Sequence, residues 1–314
     1  MPLPPQLIRV SLVSALGATA AAYLFISDKS RSAPTVDNAS ISPSHFTKAT
    51  LTSSESSGLD TKLLVLTVHG FTRPKDPSFS APIWSVAVKD DDIQVERPYT
   101  PLRGIDEHGR MLFWIKKYPS GEVGRWLHSK KVGDQIEFRG PLSTWAWKED
   151  EWDEIVMISG GTGITPFCQL IHSAFSMGVP KPRFTLMHSS RIRSELPPPA
   201  ILEPLHEYAT NHPEKFALHL FVDKIDNGRS ASLQSLQVGR INKSAIQRCL
   251  GLNTTWRKRI FTESSTPRKI LFLVCGPEPM ISAIAGPYGR NFSQGEVDGV
   301  LRELGYTSKQ VRKL

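Results

Sequence analysis

The run Glu154-Ile155-Val156-Met157-Ile158 passes without a break into Ser159-Gly160-Gly161-Thr162-Gly163 and then Ile164-Thr165-Pro166. Four consecutive apolar residues with no polar alternation describe a strand buried on both faces. Such strands belong in parallel sheets covered by helices. The glycines make a tight turn, and Thr165-Pro166 opens a helix predicted from Pro166 to Met177. This order constrains the chain more than any other stretch, because it demands an α/β layer.

The C-terminal half repeats that texture. Strands are expected at Arg183 to His188, Phe216 to Val222 and Ile270 to Cys275, with a helix near Ile201 to Thr210. We place this domain at residues 151–314, with an insertion near 224–269. The insertion holds a helix at Lys243 to Leu250 and the polar run Asn253 to Lys269.

Residues 46–150 read differently. Short strands are expected at Lys62 to His69, Ile83 to Val88, Ile93 to Glu96, Met111 to Lys116 and Gln135 to Arg139. Turn signals such as Asp90-Asp91-Asp92, Pro119-Ser120-Gly121 and Val132-Gly133-Asp134 divide them, with no long helical pattern. Even spacing of short strands predicts a small antiparallel β-barrel. A chain of 314 residues has room for both domains.

Composition narrows the classes. At 39% hydrophobic and 22% charged the chain is globular. The net charge of +8 comes from scattered basic residues interleaved with acids, without a basic block, which argues against nucleic-acid binding. A basic face toward an acidic redox partner or an anionic membrane suits that charge better. Cys168, Cys249 and Cys275 are far apart and form no CxxC pair, and no HExxH occurs, so neither a disulfide framework nor a metal site is expected.

Residues Val10 to Ile26 carry no charge. These seventeen residues are at the short end of what crosses a bilayer core as a helix. A secretory signal, a mitochondrial presequence and a retained membrane anchor compete here. The lack of acids before Asp28 favours mitochondrial import, the unbroken apolar run favours an anchor, and one segment at residues 1–27 can serve as both. Residues 28–45, rich in Ser, Pro, Asn and Asp, read as a flexible linker.

Three short motifs carry chemistry. Gly160 to Pro166 ends a buried strand and opens a helix, where free amides and the helix dipole bind phosphate and point to a dinucleotide. It is not a P-loop, since no Gly-Lys-Ser/Thr follows. Arg97-Pro98-Tyr99-Thr100 offers a guanidinium, an aromatic face and a hydroxyl. Strand alternation sends Arg97 and Tyr99 to one side, suited to a pyrophosphate and a flat ring. Equally, it is a strand end with a core tyrosine and a surface arginine. Cys275-Gly276-Pro277-Glu278-Pro279-Met280 ends a later strand in a rigid turn, at the sheet edge where open α/β folds bind ligands. No histidine neighbours Cys275 in sequence, which speaks against a thiol nucleophile.

Together these motifs resemble the ferredoxin-reductase-like flavoproteins, and among them the NADH–cytochrome b5 reductases. The resemblance covers about Phe46 to Leu314 and includes Phe113 to Tyr118, Ile136 to Pro141 and Leu301 to Tyr306. It implies a FAD-binding barrel followed by a NAD(P)-binding domain, with hydride passing from NADPH or NADH to flavin N5. By position, Arg97 would hold the FAD pyrophosphate, Tyr99 would lie against the flavin, and Thr100 would sit near N5. Lys116 and Tyr118 would border flavin and nicotinamide. Gly121, Val123 and Gly124 match the family's phosphate loop, with Gly124 where relatives usually have serine. Gly161, Thr162, Gly163 and Thr165 would hold the nucleotide, while Cys275, Gly276, Pro277 and Met280 would form the nicotinamide turn. Thr100 and Cys275 would be the catalytic pair nearest the reacting atoms. The chain ends in Leu314 where the family commonly has an aromatic residue.

The pair Ser190-Arg191 after the strand ending at His188 suits a 2′-phosphate and leans toward NADPH, with Glu195 the nearby acid. The stretches Leu142 to Trp152 and Ala285 to Phe292 resemble a fungal mitochondrial branch that assists haem attachment to cytochrome c. That resemblance implies an inner-membrane protein facing the intermembrane space, with haem or a cytochrome as electron acceptor. The Trp-rich stretch Leu142 to Trp152 either faces haem or packs the domains together, and packing is preferred. The alternatives are an ordinary NADH–cytochrome b5 reductase and a non-catalytic haem or cytochrome c assembly factor that keeps the fold.

Overall fold

Alternation of inward and outward side chains builds the first sheet. The computed structural model describes residues 33–37, 40–72, 81–90, 95–145, 151–226, 236–251 and 268–314. The strands are β1 (Thr47–Ser56), β2 (Thr61–Thr67), β3 (Ile83–Lys89), β4 (Glu96–Tyr99), β5 (Arg110–Lys116) and β6 (Gln135–Trp145). They pair antiparallel in the order β4-β3-β6-β1-β2-β5. Leu51, Leu64, Val86, Phe113, Ile136 and Phe138 share one core, and Tyr99 from the edge strand β4 packs against it. Residues of both edge strands meet in that core, so the sheet curls around it as a barrel.

Several elements differ from the expectation. β1 escaped notice because its inward positions Thr47, Ala49 and Leu51 are mostly small or polar, although all three are buried. The strand expected at Ile93 to Glu96 is β4, Glu96–Tyr99, and residues 91–94 lie outside the described ones. β6 runs on to Trp145, past the expected end at Arg139. Helix α1 (Glu122–Ser129) was not expected, because its glycines mask a short amphipathic pattern in which Val123 and Leu127 are buried.

The described part of the stretch expected as a flexible linker lies against the barrel. Val36 N–H donates to the Phe46 carbonyl at 2.9 Å, and Phe46 N–H donates to that of Pro34 at 2.8 Å. Gly140 N–H donates to the Ser42 carbonyl at 3.0 Å, and Ile41 is buried. Residues 1–27, read as a targeting or membrane segment, lie outside the described residues, among which no helix is long and apolar enough to cross a membrane.

The second sheet contains β7 (Glu154–Gly160), β8 (Arg183–Ile192), β9 (Phe216–Lys224), β10 (Leu236–Val238), β11 (Ile270–Cys275) and β12 (Val311–Lys313). All pair parallel, in the order β10-β9-β8-β7-β11-β12. The helices are α2 (Thr165–Ser176), α3 (Pro199–Asn211), α4 (Lys243–Cys249), α5 (Glu278–Ala285) and α6 (Gly299–Glu303). Every residue of β7 is buried. Ile155 and Met157 pack with Phe167 and Leu170 of α2, while Val156 and Ile158 pack with Ile246 of α4 and Ile281 of α5. Each such side chain contributes about 1.5–3 kcal/mol of burial, which explains the unbroken apolar run. β10 and α4 fall inside the expected insertion, yet they are the edge strand and a covering helix of this sheet. The polar run Asn253 to Lys269 is described only at 268 and 269.

The domains share apolar contacts. Ile83, Leu102 and Trp114 of the barrel join the cluster under α2, where Trp145 and Trp152 also pack. Trp84 N–H donates to Gln169 Oε1 at 2.7 Å across the junction.

Candidate active site

The chain runs outward from β7 through β8, β9 and β10, then returns to place β11 on the other side of β7. That reversal leaves a crevice at the carboxyl ends of β7 and β11, the place where open α/β sheets bind ligands. The barrel closes the crevice from above, and the two domains enclose a cleft of about 560 Å³. That volume is in the range of cofactor sites.

From the barrel come Arg97, Pro98, Tyr99 and Thr100 of the β4 end, Lys116 at the end of β5, Tyr118 beyond it, Gly121 at the cap of α1, and Val123 and Gly124 of α1. Gly121 caps α1 without a side-chain hydrogen bond. The amides of Glu122, Val123 and Gly124 therefore start the helix without intrahelical partners, a favourable place for phosphate. Arg97 is exposed, and its Nη1 donates to the Glu96 carbonyl at 2.9 Å. Burial pushes the Tyr99 phenol up to about 12, against the weaker opposing pull of Arg97, so the ring stays neutral. At Gly124 a Cβ would sit 3.1 Å from the Lys116 carbonyl and 3.8 Å from Tyr99 Oη. The glycine thus keeps the floor of the cradle open beneath Tyr99.

From the other domain come Gly160, Thr162, Gly163, Thr165 and Pro166, with Cys275, Gly276 and Pro277. Here glycine serves close approach. A side chain at Gly163 would strike the Cys275 carbonyl, and one at Gly160 would come within 2.7 Å of Met280 Sδ. The two turns are thereby pressed together. Burial pushes the Cys275 thiol up to about 12, so it stays protonated and lines the site without acting as a thiolate.

Four expected site residues lie apart from the cleft lining. Gly161 (φ +54°) faces open space. The Met280 thioether packs against Gly160 and Gly276. Ser190 is buried, and Arg191 is exposed beside Glu195, its Nε donating to Glu195 Oε2 at 3.0 Å. Glu195 Oε2 also stands 3.7 Å from Lys116 Nζ, so the carboxylate bridges the two domains. Sequence reasoning did not anticipate this bridge, nor Ser85 and Thr144 in the cleft wall, where Leu314 also stands. Leu314 is held there by its N–H donating to the Val274 carbonyl and by its carbonyl accepting from Tyr288 Oη. Among the described residues no group of His, Cys, Asp and Glu is arranged to hold a metal ion.

Comparison with known proteins agrees with this two-part cleft. The oxidoreductase FAD-binding domain family matches residues 48–147, and the oxidoreductase NAD-binding domain family matches residues 157–286. NADH-cytochrome b5 reductase 2 of Meyerozyma guilliermondii is 34% identical over 219 residues, covering 70% of this chain and 67% of that protein. The chain belongs to the cytochrome b5 reductase family of FAD-dependent NADH oxidoreductases. NADH-cytochrome b5 reductase 2 of Mycosarcoma maydis is 32% identical over 227 residues, 72% of this chain and 59% of that protein. The match to these two reductases therefore spans between 59% and 67% of their length. In fold the chain is similar to the cytochrome b5 reductase domain of Ulva prolifera nitrate reductase. The TM-score is 0.63 at 19% identity, over 87% of this chain and 99% of that domain.

The residues present fit the family's two cofactors. Uncapped amides of α1 with Arg97 suit a diphosphate, Tyr99 in the cleft wall suits a flat ring system, and the paired glycine turns suit a second nucleotide.

Proposed function

We propose that this chain oxidises NADH through bound FAD and passes single electrons to a haem acceptor. The observation that carries the reading is the convergence of the β4–α1 cradle and the β7–β11 turns on one cleft. FAD bound there would supply hydride acceptance and one-electron release. Arg97 and the α1 amides would hold its diphosphate, and Tyr99 would orient its rings. The Gly160 to Thr165 turn would hold the diphosphate of NADH, with Cys275 to Pro277 against its nicotinamide. The shared apolar junction under α2 would keep water from one side of the reacting pair. No side chain is asked to transfer a proton.

NADH is preferred to NADPH in this reading. Arg191 is already engaged by Glu195, which removes the cation that a 2′-phosphate would need and leaves a carboxylate able to accept from ribose hydroxyls. Full-length protein should be yellow and should bleach on anaerobic addition of NADH; a colourless preparation, or a yellow one that bleaches with neither nucleotide, would sink the reading and favour a non-catalytic assembly platform. Mixing the reduced protein with haem, cytochrome b5 and cytochrome c then ranks acceptors. The names of the relatives favour cytochrome b5. Similarity at Leu142 to Trp152 and Ala285 to Phe292 favours haem delivery during mitochondrial cytochrome c maturation, with residues 1–27 addressing the protein to the inner membrane, facing the intermembrane space. Protease protection of isolated mitochondria tests that location.

A further inference from the structure

Strand β8 buries an imidazole in a sheet whose other interior positions are mostly apolar. His188 is fully buried and stands in register with Ser159 of β7. Ser159 Oγ lies 2.9 Å from His188 Nδ1, and His188 Nε2 lies 3.2 Å from Ser190 Oγ. Ser190 Oγ in turn donates to the main-chain carbonyl of Glu195 at 3.2 Å. A carbonyl only accepts, so the one Ser190 proton is committed to Glu195. Ser190 then accepts from His188 Nε2–H, and the neutral ring accepts at Nδ1 from Ser159. All three bonds therefore point one way, from β7 through β8 to the Glu195 turn. Burial pushes the His188 pKa down to about 3, which keeps the ring in the neutral form this chain of bonds requires.

Each end of the relay adjoins a residue of the cleft wall, Gly160 at one end and Lys116 at the other. Ser159 immediately precedes the turn at Gly160. Glu195 carries the carboxylate that engages Arg191 and approaches Lys116 of the barrel. An apolar residue at 188 would fill the same space, so packing alone does not call for an imidazole whose two nitrogens are both matched.

We propose that His188 is a positioning residue for the nucleotide: through Ser190 it fixes the Glu195 turn, and with it the Arg191–Glu195–Lys116 bridge at the edge of the cleft. This rests on the reading that NADH occupies the cleft. The test uses full-length, FAD-loaded protein with ferricyanide as acceptor, comparing His188→Leu, Ser190→Ala, Glu195→Gln and the His188→Leu/Glu195→Gln double variant. The KM for NADH should rise about tenfold in His188→Leu, with kcat within about twofold, and Ser190→Ala should move the same way. The double variant should be no worse than Glu195→Gln alone, because the relay acts through that residue. Additive KM increases overturn the proposal, as does a kcat loss that tracks a lowered Tm. If His188→Leu fails to fold, an unchanged KM in Ser190→Ala, which removes a single oxygen, overturns it equally. A wild-type protein that oxidises neither NADH nor NADPH overturns the functional reading along with it. An active wild type with unresponsive variants overturns this proposal alone.

Discussion

The two halves of the cleft are built on opposite plans. In the nucleotide domain a short contiguous run, Gly160 to Pro166, makes the turn and opens α2, and a second run, Cys275 to Pro277, is pressed against it by missing side chains. In the barrel the cradle is assembled from the β4 end and the stretch from Lys116 to Gly124, which are distant in sequence, with Ser85 and Thr144 in its wall. A contiguous site depends on backbone approach and tolerates little added volume. A convergent site depends on side-chain identity at a few positions and tolerates small additions to its floor.

The largest expected effect tests the contiguous half. Gly163→Ala drives a methyl into the Cys275 carbonyl. It should lower kcat/KM for NADH by at least about a hundredfold, the cost of shifting a positioned turn. Gly161→Ala, facing open space, should cost only about 1–2 kcal/mol of stability from its left-handed backbone. Equal losses in the two variants would dissolve the distinction. Next, in the convergent half, Arg97→Ala should weaken FAD binding by about ten- to a hundredfold, as for loss of a charge-assisted hydrogen bond, with little change in Tm of the FAD-free protein. Flavin retained per chain after gel filtration measures it.

The domains should also separate under acid. Burial lowers the pKa of His172, His188 and His219 in the nucleotide domain, but only of His128 among the resolved shifts in the barrel. A histidine kept neutral in the folded state gains its proton on unfolding. Its contribution is intact above the unfolded value near 6.5 and is lost as pH falls toward the folded value. For His188, with a folded value of about 3, the loss amounts to about 1.4 kcal/mol per pH unit across that window. Hydrogen exchange at pH 5 should therefore show the parallel sheet opening before the barrel, and His188→Leu should flatten its pH slope by one proton. Simultaneous opening at every pH would contradict this. The smallest effect belongs to Gly124→Ser, whose Cβ would meet the Lys116 carbonyl at 3.1 Å. Flavin affinity should change by less than about fivefold, since the amides of α1 would serve the phosphate without a side-chain hydroxyl.

The same contrast governs what the sequence disclosed. The parallel sheet was legible because doubly buried strands such as Ile270–Cys275 have no polar alternation to obscure them. The glycine turns were legible because both their parts are contiguous. β1 was missed because a half-buried strand with Thr47 and Ala49 inward carries a thin apolar signal. Helix α1 was missed because Gly121 and Gly124, which the cradle needs, are poor helix formers. The Lys116–Glu195 bridge and the Ser159–His188–Ser190 relay join residues that no local pattern relates, since strand pairing and domain docking alone bring them together. Sequence showed Ser190-Arg191 and the nearby Glu195 without relating them, whereas in space the guanidinium faces that carboxylate.

The clasp of residues 33–37 and 40–45 on the barrel bears on reach. Were residues 1–27 held in a bilayer, only residues 28–32 would separate it from the clasped chain, a span of about 17 Å when fully extended. The catalytic body would then work like a lamp on a short bracket, swivelling but unable to range. Soluble cytochromes would have to come to it, and those already resting on the same surface would meet it most often.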